Sequence, residues 1–137
     1  MIKTKKTKEL KNEKLIIFYF SICIIIRLSN LYRYNFKNLC SDVIEMCDEM
    51  EESLNYSTKE ENFENAMEIF NLIQDKGKIA AIYINHVDYD VMLNEALKLT
   101  VYIEKDDSSE AEASLHLLKY STEHMKELQV PKMENIF

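Results

Sequence analysis

At 137 residues, 47% hydrophobic and 30% charged, the chain has room for one folded domain and is too apolar to remain disordered. A single Gly and a single Pro exclude turn-rich all-β folds and any glycine-rich phosphate cradle. The net charge of −7 is unevenly spread: residues 35–137 carry 22 acids against nine Lys, which argues against nucleic-acid binding there.

Residues 1–14 hold six Lys against Glu9 and Glu13. This basic head is too short for a nucleic-acid module. Leu15–Ile26 then reads LIIFYFSICIII, without a charge. As a helix it spans only ~18 Å of a ~30 Å hydrocarbon core. Extension to Tyr34 reaches ~30 Å and takes in Arg27, Asn30 and Arg33. Eleven Leu, Ile and Phe residues between Leu15 and Leu31 favour insertion by about 5 kcal/mol, against about 3 kcal/mol for Arg27. The segment therefore reads as a membrane anchor that meets the lipid bilayer through Leu15–Tyr34. Tyr32 and Tyr34 suit the interface. The Lys cluster predicts a cytoplasmic amino terminus and an extracytoplasmic body at 35–137. Two other readings stay open. A cleaved signal peptide fits the charge order, but no small-x-small site follows Ile26. A buried core helix fits the length, but the run is apolar on every face.

The body shows four helical stripes. Phe36, Leu39, Val43, Met46, Met50 and Leu54 step by three or four, as a strict a/d seam that follows the anchor without a breaker. Asn55–Thr58 is the expected turn, with Ser57 or Thr58 as cap and Glu60 and Glu61 at the positive end of the next helix. That helix is expected from Lys59 to His86 with Phe63, Ala66, Met67, Phe70 and Ile73 inward. Gly77 could break it, and Ile79–Ile84 (IAAIYI) could be a short strand, but nothing else in the body could pair with it. A third helix is expected over Asp88–Lys105, capped by Asp88, with Tyr89, Leu93, Ala96, Leu97, Thr100 and Ile103 inward. Asp106–Ser109 forms a turn and N-cap for a fourth helix over Ser109–Leu128, with Ala111, Leu115, Leu118, Thr122 and Met125 inward. Pro131 lies just beyond its end. The fold class is thus all-α: an N-terminal transmembrane helix continuing into an antiparallel three- to four-helix bundle.

The search for chemistry is mostly negative. Cys40 and Cys47 are ~10 Å apart along a helix, too far for a disulfide, and no Cys/His zinc spacing occurs. Tyr83, Ala113 and Ser121 stand where a di-iron bundle would want Glu three residues before His. The pair Glu112/His116 reads as a solvated i,i+4 contact. One polar constellation stands out: His86 with Asp88 and Asp90, and His124 near the end of the fourth helix. No catalytic residue, metal ligand or cofactor is expected, and the chain is not read as an enzyme.

Residues Ile84–Ala111 (INHVDYDVMLNEALKLTVYIEKDDSSEA) and His124–Phe137 (HMKELQVPKMENIF) carry a resemblance. His86 is followed by Asp88 and Asp90 at alternate positions. Then come the pair Tyr102-Ile103, the acidic turn Asp106-Asp107 and the terminal Asn135-Ile136-Phe137. With the basic head and the apolar segment, this resembles the domain of unknown function 4363 family of small proteins from clostridia and related Firmicutes. The resemblance implies a membrane-anchored helical protein and no assigned activity. The expected role is an extracytoplasmic interaction or accessory module, with an integral-membrane protein or a second copy as partner and no nucleic acid. The alternatives are a cation- or pH-sensing domain using His86, Asp88, Asp90 and His124, and a soluble helical interaction protein.

Overall fold

A computed structural model describes residues 2–80 and 86–129, with side chains placed at 13–78 and 86–129. Four helices follow one another: α1 (Ile2–Ser53), α2 (Lys59–Ala80), α3 (His86–Glu104) and α4 (Ser108–Leu128). No strand occurs among the described residues. Internal contacts divide the chain into two units, Met1–Tyr32 and Arg33–Phe137. The second is an all-α bundle. Its α3 packs against both α2 and α4, and the short connections before α2 and α4 make successive helices antiparallel.

The core draws on all four helices. Phe36, Leu39, Cys40, Val43, Cys47 and Met50 enter it from α1, and Ala66, Ile69 and Ile73 from α2. Tyr89, Met92, Ala96, Leu99 and Ile103 come from α3, and Ala111, Leu115, Leu118 and Met125 from α4. The inward set expected on α4 is fully buried, Thr122 included. Elsewhere the stripes are rotated or widened. On α1 the seam extends to Cys40 and Cys47, while Met46 and Leu54 are only partly buried. On α2, Ile69 is buried and Phe63, Met67 and Phe70 lie at the margin. On α3, Leu97 is 47% exposed, and Met92 and Leu99 are buried instead.

Helix boundaries follow local chemistry. Thr58 Oγ1 accepts from Glu61 N, and Glu61 Oε2 accepts from Thr58 N, each at 3.2 Å. This reciprocal capping box selects Thr58 over Ser57 as the cap of α2. Asp107 caps α4 by accepting from Glu110 N at 3.2 Å. The end of α3 is a Schellman turn: Asp107 N donates to Tyr102 O (2.9 Å) and Asp106 N to Ile103 O (3.1 Å). Asp106 takes φ 58°, a conformation that a short polar side chain tolerates. Asp88 is not the cap of α3. It sits in the first turn, because the helix already begins at His86. Replacing Thr58 by Ala is expected to cost about 1 kcal/mol in thermal unfolding, and Thr58→Ser to restore most of it.

Gly77 does not break α2. It lies buried inside the helix, where a Cβ would overlap the Tyr89 ring. The glycine serves a close approach between α2 and α3, and Tyr89 Oη donates to Ile73 O at 3.3 Å beside it. The described part of α2 ends at Ala80; the choice between helix and strand for Ile79–Ile84 lies largely outside the described residues, as do Pro131 and the terminal Asn135-Ile136-Phe137.

Candidate functional site

Two features stand apart from core packing: the apolar stretch of α1 and the charged surface of the bundle. Every residue from Glu13 to Leu31 is exposed. Ile16, Ile17, Phe18, Tyr19, Phe20 and Ile25 are each more than 60% exposed. The helical stretch Glu13–Ser53 contains an 18-residue window of mean hydropathy 1.9 with none of it buried, long and apolar enough to cross a membrane. A core helix would be covered by its own chain, and this stretch is not. Within it Ser21 Oγ donates to Ile17 O at 2.9 Å, so that hydroxyl is satisfied inside the helix.

A few ion pairs link separate segments at the bundle surface. Lys119 of α4 reaches α1, with Nζ 2.6 Å from Asp48 Oδ1 and 2.7 Å from Glu51 Oε2. Hydrogen bonds to Asp48 and Glu51 hold its pKa well above the ordinary lysine range. His116 Nδ1 stands 3.0 Å from Glu51 Oε1, and its Nε2 is 3.8 Å from Glu112. Glu51 Oε1 is buried and accepts no well-aligned hydrogen bond, so this approach is a charge contact that depends on His116 carrying a proton. The i,i+4 contact with Glu112 is therefore the longer one, and the partner on α1 is the closer. Lys76–Asp42 (3.3 Å) and Lys59–Asp106 (2.8 Å) are more exposed pairs.

Lys119 carries a prediction. Because its pKa is raised in the folded state, its contribution is complete below the ordinary lysine range. It is lost only as pH rises through the elevated folded value. Lys119→Met is expected to lower stability by about 1 kcal/mol, since it leaves Asp48 and Glu51 without their cation. The deficit relative to the parent should be the same at neutral and mildly alkaline pH, as read by thermal unfolding.

The sequence-selected polar residues fall at one end of the α3/α4 pair. His86 opens α3, Asp88 and Asp90 lie in its first turns, and His124 is near the end of α4. His86, Asp90 and His124 are exposed and Asp88 is half-buried. Among the described residues no group of three or more His, Cys, Asp or Glu side chains is placed to hold a metal ion. Cys40 and Cys47 are buried, and burial pushes both thiols up to about 12, so neither offers a thiolate near neutral pH. At the bundle end between α2 and α3–α4, a cleft of about 210 Å³ is lined by Ser57, Lys59, Asn62 and Asp106–Ser108. Asn62 Nδ2 donates to Leu54 O there.

The class defined is a helical bundle preceded by an uncovered apolar helix. Residues 31–136 match the family described as Domain of unknown function (DUF4363), and the chain belongs to that family. The match opens within two residues of the division between the two units, so the family's domain corresponds to the bundle. No curated protein and no solved structure matches the chain.

Proposed function

We propose that the chain is a single-pass membrane protein inserted through Leu15–Tyr34, with its amino terminus in the cytoplasm. The acidic bundle outside serves as a binding module, without catalysis of its own, for a membrane partner. The observation that carries this reading is the complete exposure of Glu13–Leu31. In water this surface would be a large apolar patch, and lipid removes that cost. The orientation rests on the six Lys in residues 1–14 against Arg33 and Lys37 at the other end. The accessory role rests on an acidic body, 22 acids against nine Lys in residues 35–137, that offers a charged surface to a partner. Protease added to intact protoplasts of cells expressing the full chain tests it. The bundle is expected to be cut while a cytoplasmic control survives. A bundle that survives while control surface proteins are cut overturns the topology.

A further inference from the structure

We infer that the face of α1 carrying Tyr19, Cys23, Arg27, Asn30 and Tyr34 docks a second transmembrane helix that bears a carboxylate at the depth of Arg27. This rests on the membrane reading above. The five residues recur at spacings of four, four, three and four, so at 3.6 residues per turn they share one arc of about 80°. Ile16 falls on the same arc, and the opposite side presents Phe18, Ile25 and Leu28 together with Ser21, Ser29 and Tyr32. What sets the first arc apart is that it holds both Arg27 and Asn30, about 60° from one another, the two groups in the segment that gain most from a protein neighbour over lipid.

Arg27 defines the occupant. The nearest acids in the sequence are Glu13 and Asp42, 14 and 15 residues away. On a helix that is more than ~20 Å of rise, so α1 supplies no counter-ion. Escape to the lipid headgroups is poor. Arg27 lies seven residues, ~10 Å, inside the Tyr34 end, and helical side chains lean toward the amino terminus, away from that nearer interface. Asn30, one turn on and on the same face, has no stem with which to snorkel and offers both a donor and an acceptor. Arg33 lies close enough to the Tyr34 end to reach water. A second copy packed in parallel would set Arg27 against Arg27, and like charges in hydrocarbon repel. A carboxylate with a free lone pair for Asn30 satisfies both groups at once.

The full-length chain is reconstituted in phosphatidylcholine vesicles with a synthetic leucine-rich transmembrane peptide carrying one Asp near the depth of Arg27, and energy transfer between labels reports association. The Asp peptide is expected to associate about tenfold more tightly than its all-Leu counterpart. Arg27→Leu should abolish that preference, Asn30→Leu should reduce it, and Ile25→Val on the opposite face should leave it intact. Equal association of the two peptides overturns the pairing and assigns Arg27 to lipid phosphate. Efficient Cys23–Cys23 disulfide formation between copies under mild oxidation also overturns it, because a second copy then holds this face. Flotation separates the two levels. A chain that does not float with the vesicles overturns the membrane reading and this inference with it, whereas flotation without an Asp preference overturns the pairing alone.

Discussion

Ile25→Arg is expected to reduce the membrane-integrated fraction of the full chain from nearly all to about a tenth. The parent segment gains about 5 kcal/mol from its eleven Leu, Ile and Phe residues and loses about 3 kcal/mol to Arg27, which leaves roughly 2 kcal/mol in favour of insertion. A second Arg near the centre of Leu15–Tyr34 removes one of those gains and adds about 3 kcal/mol of cost, so the balance changes sign. The measurement is the fraction that resists alkaline carbonate extraction. Ile25→Leu should behave as the parent, since it preserves apolar character at the same depth. An integrated fraction unchanged by Ile25→Arg would mean that the segment is held by protein rather than by lipid.

Gly77→Ala is expected to destabilise the bundle by about 1–2 kcal/mol, opposite to what helix propensity alone gives. In an exposed helix interior the change would gain about 1 kcal/mol. Here the added methyl meets the ring of Tyr89, which is buried and tied to Ile73 through its hydroxyl. Overpacking of that kind costs about 1–3 kcal/mol. A larger side chain, as in Gly77→Leu, should cost more. The decisive measurement is a double-mutant cycle by thermal unfolding of the full chain in mild detergent. In a Tyr89→Ala background, where the ring is gone, Gly77→Ala should become neutral or stabilising. A stabilising effect in the parent background would show that α2 and α3 do not approach at this point.

Buried thiols give a third check on the core. Cys40 and Cys47 should resist alkylation in the folded chain at neutral pH and react on unfolding, because both are enclosed and burial disfavours their thiolates.

The sequence by itself determined the parts governed by local chemistry. Four helices, a cap at Ser57 or Thr58, the capping turn at Asp106–Ser109 and the family could all be read from residues within a few positions of one another, and the structure then selected Thr58 and Asp107 as the caps. The apolar stretch was legible for the same reason, since its composition needs no partner to be recognised, but that the bundle leaves it uncovered was decided by the structure. Tertiary structure decided what depends on a neighbouring helix. A heptad seam on α1 omits Cys40 and Cys47, because the width of a buried stripe is set by how many helices cover it. On α3 the exposure of Leu97 and burial of Leu99 are a matter of rotation about the helix axis, which only packing fixes. Lys119 with Asp48 and Glu51, and His116 with Glu51, join residues more than 60 positions apart, so no local spacing announces them. Gly77 is the sharpest case: alone it reads only as a weak point in a helix, and against the Tyr89 ring it is small enough to let two helices touch.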